Sequence, residues 1–300
     1  MISKSHNFKT NAAAALNDIT LQKALLNAKY GFINKRKIAL DALPEFEQLR
    51  ENAYRIKEHT LENIEYYLEM FEQQVINSGG HVHWASDAND AQKIIVQLCK
   101  DAGARTITKG KSMVGEEVAI NDALVEAGFE TIETDLGEYI IQLANEPPSH
   151  IIAPAVHKSK QQIADLFKEH HKKYNFDSKL ETIPEIVNEA RSVLREKFIK
   201  ADVGITGANF LIAETGSTVI VTNEGNGDLT ATLPKTHIVI SSIEKVVPTL
   251  EDTSVLLRLL ARSATGQEIT SYTTFFNGPK RQADHDGPAA FHVVLLDNKR

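Results

Sequence analysis

The sequence predicts an α/β protein, a mostly parallel sheet flanked by helices, with a helical N-terminal extension ahead of it. Three observations carry that prediction. Up to about residue 78, apolar residues recur at helical spacing in a charged background, as Leu61, Ile64, Leu68 and Phe71 do on one face. From Gly79 onward, short apolar runs alternate with amphipathic stretches of roughly 10–15 residues, which is the pattern of βαβ units. Residues 201–228, ADVGITGANFLIAETGSTVIVTNEGNGD, then hold three short apolar runs (203–205, 210–213 and 219–221) separated by glycine-bearing turns. The division that follows is an extension over 1–78 and an α/β domain over 79–300.

Within the extension, residues 11–30 and 44–75 read as helices, with Asp18 and Asp41 as N-caps and Pro44 in a first turn. Its apolar faces need cover, either from the α/β domain or from a partner subunit. A strand over 81–85 opens the domain, and Asp87 caps a helix that reaches Lys100 and ends at Gly103. Residues 105–108 form the second strand, 114–127 a helix closed by Gly128, and 129–133 the third strand. A fourth strand over 150–153, a helix over 159–170 and a helix over 183–200 lead into the central stretch. Beyond it come a strand at 237–243, a helix at 254–263 and strands at 269–275 and 291–296. The last two are joined by a polar loop, FNGPKRQADHDGPAAF. Right-handed crossovers place the functional loops of such a sheet at the carboxyl ends of its strands.

Composition narrows the function. At 300 residues, 42% hydrophobic and 24% charged, the chain can bury a sizeable core. A net charge of −7 with no dense Lys/Arg block argues against nucleic acid as a partner. No apolar run approaches the roughly 20 residues that span a bilayer, and MISKSHNFKTNAAAALND has no secretory apolar core, so a cytoplasmic location is expected. Cys99 is the sole cysteine, which leaves no internal disulfide and no cysteine-ligated iron–sulfur or zinc site in this chain. His81 and His83 share one strand face but lack a third close ligand, so no metal site is expected there.

Two regions carry candidate chemistry. Thr108-Lys109-Gly110-Lys111-Ser112 follows the second strand, and Arg105 stands where a phosphate loop needs glycine. What remains is a strand end, two lysines and a helix start, suited to a carboxylate or phosphate held by Lys109 and Lys111, or else a turn whose lysines pair with Glu116 or Glu117. Glu133, Thr134, Asp135, Glu138 and His157 follow later strands and can line the same cleft. In the central stretch Thr206, Gly207 and Asn209, with Asn223, Asn226 and Gly227, offer amide-lined concavities for an anion. Glu214, beside Thr215 and Gly216, is either a partly desolvated base or nucleophile, or a turn carboxylate bonded to nearby amides. If 209–213 and 218–222 pair as a hairpin, Glu214 and Asn223 stand about 17 Å apart and are rival sites. Asp284-His285-Asp286 could bind a cation from a mobile loop, or be polar surface.

Several longer motifs resemble the LUD (lactate-utilisation) domain family. They are ITKGKSMVGEE (107–117), ETDLGEYIIQL (133–143), HIIAPAVHK (150–158), GITGANFLIAETGSTVIVTNEGNGDL (204–229), LPKTHIVISSIEKVVPT (233–249) and YTTFFNGP (272–279). The resemblance implies a fold like that of the ribose-phosphate isomerase, glucosamine-phosphate deaminase and CoA-transferase group. It also implies a role in bacterial oxidation of L-lactate to pyruvate beside two sister lactate-utilisation proteins. Such proteins carry 4Fe-4S clusters on cysteines that follow the LUD domain, and the present residues stop where those cysteines would start. The ligand implied is a small anionic metabolite, lactate, pyruvate or a phosphorylated compound, and a homo-oligomer is compatible with it. The CoA-transferase members use a glutamate nucleophile in a Glu-Asn-Gly turn, which Glu214-Thr215-Gly216 resembles with Thr215 in place of Asn. The alternative implied is a stand-alone enzyme on phosphorylated or CoA-linked acids with Glu214 as nucleophile, or a non-catalytic scaffold.

Overall fold

The structure, a computed structural model, describes residues 5–110, 112–149, 153–176 and 179–299. The chain begins with helices α1 (Phe8–Asn17), α2 (Ile19–Ala28), α3 (Asn34–Asp41), α4 (Phe46–Glu62) and α5 (Ile64–Asn77). Strand β1 (His81–Ala85) and helix α6 (Ala88–Asp101) follow, with the Asp87 carboxylate accepting from the amide of Asp90 as the cap requires. Strand β2 (Thr106–Lys109) leads to α7 (Met113–Glu117) and α8 (Ile120–Glu126), then to β3 (Glu130–Glu133) and α9 (Leu136–Ala144). Helices α10 (Lys160–His170) and α11 (Ile183–Lys200) both open with capping boxes, at Ser159 and Thr182.

The remaining elements are β4 (Val203–Thr206), β5 (Phe210–Ile212), β6 (Ser217–Thr222), α12 (Asn226–Thr232) and β7 (Thr236–Ser242). After them come β8 (Val246–Val247), α13 (Leu250–Thr265), β9 (Tyr272–Phe276) and β10 (Ala290–Leu296). Six strands form a fully parallel sheet in the order β1-β10-β7-β4-β2-β3. Four form a smaller mixed sheet in the order β8-β5-β6-β9. The last strand in the chain therefore lies inside the large sheet, between β1 and β7.

One face of the large sheet is covered by α6 and α8, where Ala91, Ile95, Cys99, Ile120 and Leu124 meet Ile107, Ile205, Ile238 and Val294. On the other face, the small sheet and α5 cover β7 and β10, with Phe71, Val75, Leu211 and Val246 against Val239, Phe291 and Val293. Helix α5 is thus part of the core: Phe71 and Val75 have no exposed surface. Helices α9, α10 and α11 bury a third cluster with Ile132, and α4 packs on α13 through Phe46, Leu49 and Leu259. Helix α12 lies so close over β4 that a Cβ on Gly204 would stand 1.8 Å from the Thr230 carbonyl oxygen, which only glycine permits.

The structure departs from the sequence expectation at several places. The helix expected over 114–127 is broken in two by Ala119, whose φ of 50° is left-handed. Residues 223–227, expected as a loop, include the start of α12, and α9 begins directly after β3 because Asp135 accepts from the amides of Gly137 and Glu138. The two-residue strand β8 carries too little pattern to be seen. Of the strand expected over 150–153, residues 150–152 lie outside the described residues, and Ala153 is not in a strand.

Candidate functional site

Strand β2 hands the chain outward to β3 at the edge of the sheet, while β4 hands it to the small sheet and then to β7 on the opposite side. The loops leaving β2 and β4 diverge, and ligands of open parallel sheets bind in the crevice that such a divergence opens. Gly110, just after β2, donates its amide to the Ile205 carbonyl at 2.8 Å. A Cβ on Gly110 would lie 3.6 Å from Thr206 Cγ2 and 3.9 Å from Gly227 Cα. Gly207 faces Ser112, whose Oγ would be 3.0 Å from a Cβ there. Three segments remote in sequence therefore meet at one point with little but backbone between them. Thr134 ties the floor together: its Oγ1 donates to the Lys109 carbonyl at 2.9 Å and lies 3.2 Å from Thr230 Oγ1 on α12.

Below this crevice is a buried set of ionisable groups. Lys109 closes β2 with its side chain fully buried, and its Nζ is 2.9 Å from both Glu116 Oε1 and Glu133 Oε1. Glu133, the last residue of β3, also accepts from Asn121 Nδ2 at 2.5 Å. Glu138 projects from the first turn of α9 and is buried too. Burial, then the neighbouring charge of Glu133, pushes the Glu138 carboxyl up to about 9 against the opposing pull of Lys109. Glu133 Oε2 and Glu138 Oε2 are buried with no hydrogen-bond partner among the described residues. Burial works to lower the pKa of Lys109, but the charges of Glu133, Glu138 and Glu116 outweigh it and hold the ammonium above its ordinary value. The arrangement is a lysine neutralised by the chain's own carboxylates, beside a carboxylic acid that keeps its proton at neutral pH.

The predicted residues divide between this crevice and other places. Lys109, Thr206, Gly207 and Gly227 converge, with Asn226 buried beside Gly227 at the start of α12. Lys109 reaches no solvent, so the direct grip on an anion expected of it is replaced by its ion pairs to Glu116 and Glu133. Lys111 lies outside the described residues. The hairpin forms as expected, with Phe210 opposite Val219 and Ile212 opposite Ser217, and it separates the rival sites. Glu214 is exposed and its Oε1 accepts from the amide of Leu250 at 2.6 Å, so it caps α13 where a desolvated carboxylate was one expectation. Thr215 donates to Ser217 Oγ at 2.9 Å, and Gly216, with φ of 69°, seats that turn against the backbone of α5. Asn209 Oδ1 accepts from the amide of Val221 at 2.9 Å, extending the small sheet. Asn223 exchanges two 3.1 Å hydrogen bonds with Gln267.

Further candidates settle elsewhere. His157 bonds Ser149 and Glu146 away from the crevice. His83 Nε2 lies 3.1 Å from His292 Nδ1, a neighbour the sequence does not announce. Among the described residues no group of three or more His, Cys, Asp or Glu is placed to hold a metal ion. Cys99 is buried in apolar surroundings that push its thiol up to about 12, so it does not fit the thiolate set of an iron–sulfur cluster. Residues the sequence reading missed are Asn121, Thr230 and His237. His237 is fully buried, 2.8 Å from Thr206 Oγ1 through Nε2, and burial pushes it down to about 3. A lone histidine in the apolar run HIVI was its only signal. Among the described residues no helix is long and apolar enough to cross a membrane.

Comparison with known proteins bears on this geometry. The family model "LUD domain" matches residues 68–296. The chain is 46% identical to lactate utilization protein B of Bacillus velezensis, over 98% of this chain and 61% of that protein. It is 44% identical to lactate utilization protein B of Bacillus subtilis strain 168, over 98% of this chain and 60% of that protein. The chain thus spans about 61% of the length of the curated relatives it matches. A crystal structure of a DUF162 family protein from Deinococcus radiodurans superposes with a TM-score of 0.43 at 13% identity, covering 78% of this chain and 98% of that one.

Proposed function

The chain belongs to the LUD domain family, and from that premise we propose that it is the ligand-binding module of an iron–sulfur protein that oxidises L-lactate to pyruvate. The observation that carries the reading is the meeting of Gly110, Gly207 and Gly227 at the strand end that also carries the buried Lys109, paired with Glu133. Backbone without side chains lets a carboxylate approach amide groups closely. Lys109 is neutralised by Glu116 and Glu133 and anchors the end of β2 without touching the ligand, and Glu138 keeps its proton at neutral pH. The clusters belong to residues other than these, in keeping with the single buried Cys99.

The test is calorimetric titration of the chain with L-lactate and pyruvate, comparing wild type with Gly110→Ala. The added methyl meets only ordinary contacts, the nearest at 3.6 Å, so it fills the crevice without disturbing the fold. Saturable binding that weakens about tenfold at unchanged Tm is expected, about 1.4 kcal/mol of lost contact. Equal affinity of the two proteins removes the crevice assignment.

A second reading, docking of a sister lactate-utilisation protein on the N-terminal helices, is favoured by the apolar residues α1 to α3 turn outward. Phe8, Leu16, Ile19 and Ile38 are each about 70% exposed. Removing residues 5–41 should abolish co-purification of the sister proteins while lactate binding persists. Truncation beyond that, into α5, would open the core at Phe71 and Val75.

A further inference from the structure

At the amino ends of the parallel strands, opposite the crevice, the loop between β9 and β10 roofs a cleft of about 510 Å³. That volume is ordinary for a small-molecule site, roughly 300–1,000 Å³. Phe276 and Phe291 form its aromatic inner wall beside His237, and Phe275, Lys280, Asp284, His285 and Asp286 complete the lining. The loop is pre-shaped: Lys280 donates its amide to the Pro288 carbonyl at 2.8 Å, and Arg281 donates its amide to Asp284 Oδ2 at 2.7 Å. Asn277 Nδ2 anchors the entry of the loop on the Thr215 carbonyl at 2.6 Å.

The inner wall holds His237, its ring 5.4 Å from the rings of both Phe276 and Phe291. Its Nε2 is engaged by Thr206, while Nδ1 is buried with no partner among the described residues. An unpartnered buried nitrogen is destabilising, and a polar ring atom arriving in the cleft would offset that. The aromatic lining calls for a planar ring. The rim carries both signs of charge, with Lys280 for a carboxylate and Asp286 for an ammonium, whereas Asp284 is already engaged by the loop's own backbone.

We propose that this cleft is a second ligand site, for an aromatic amino acid whose ring lies against the wall of Phe276 and Phe291 and whose charged ends meet Lys280 and Asp286. A phenolic ligand adds a hydrogen-bonding atom for His237 Nδ1, which links the cleft through one imidazole to Thr206 in the crevice.

The experiment is a titration of the 15N-labelled chain with L-tyrosine and L-phenylalanine at millimolar concentration, followed by amide and imidazole NMR shifts. L-leucine, phenylacetate and phenethylamine serve as controls lacking the planar ring, the amine or the acid. Saturable shifts confined to residues 275–291 and the His237 ring are expected, with tyrosine the tighter ligand. Lys280→Ala and Asp286→Asn, both at exposed positions, should each weaken binding about tenfold, as loss of a charge-assisted contact does. No saturable shifts, shifts centred elsewhere, controls that bind as tightly, or variants that bind unchanged would each overturn the proposal.

Discussion

Lys109 Nζ and Glu133 Oε1 lie 2.9 Å apart at the ends of adjacent parallel strands, with 0% and 4% of their side chains exposed. A charge pair removed from water to this degree is held by mutual compensation, and deleting one partner strands the other. Lys109→Ala should therefore destabilise the protein by about 3–5 kcal/mol in urea denaturation. The paired replacement Lys109→Met with Glu133→Gln should recover most of that loss. A double variant as unstable as the single one would show that a stranded charge on Glu133 is not the source of the loss.

Glu138 gives stability a falling dependence on pH. Its carboxyl stands at about 9 in the folded protein against 4.5 as the reference value. The folded state then binds a proton that the unfolded state has released, so this contribution is full below pH 4.5 and is lost as pH rises towards 9. Glu138→Gln keeps the shape and removes the titration. Its denaturation midpoint should fall less between pH 6 and pH 9 than that of wild type, and parallel curves would refute the assignment.

His237 acts with the opposite sign. Burial lowers it from 6.5 to about 3, so the folded state keeps it neutral while the unfolded chain takes up a proton below 6.5. Stability from this group is present above pH 6.5 and lost as pH falls towards 3, by about 2 kcal/mol between pH 6.5 and pH 5. Burial also lowers His292, to about 4, and the two add to one acid-sensitive limb. His237→Gln, which can still reach Thr206, should flatten that limb by its own share in urea titrations at pH 5 and 7.

Glu214→Gln tests the nucleophile that its Glu-Thr-Gly turn suggests. The amide side chain retains an oxygen to accept from Leu250, so the capping contact survives. Lactate binding and Tm should match wild type, because Glu214 is at the far end of the β5–β6 hairpin from Thr222 and Asn223. Lost turnover on a phosphorylated or CoA-linked acid would instead make Glu214 the reacting group of a different enzyme.

Much of the fold was legible because its signals are local. Asp87 announces its helix, as an N-cap side chain does when it precedes an apolar period, and the helices after Ser159 and Thr182 were legible from their apolar spacing. The β5–β6 hairpin and the separation of Glu214 from Asn223 followed from strand geometry alone. Helix α9 was less visible, since its start at Asp135 falls inside a polar stretch that reads equally as a cleft-lining loop. The break at Ala119 carries no sequence mark, because alanine does not announce a left-handed backbone.

By itself the sequence determined the βα alternation, the glycine-bearing strand ends, the absence of cysteine ligands and the family to which the chain belongs. These are properties of residues and their near neighbours. The tertiary structure decided which of those residues meet. It set Lys109 between Glu116 and Glu133, turned Glu214 onto the amide of Leu250, and threaded β10 between β1 and β7 to make a cleft beside His237. The physical reason is that burial and charge pairing depend on contacts between remote segments. A lysine at a strand end has the same local signature whether it faces a ligand or the chain's own carboxylates.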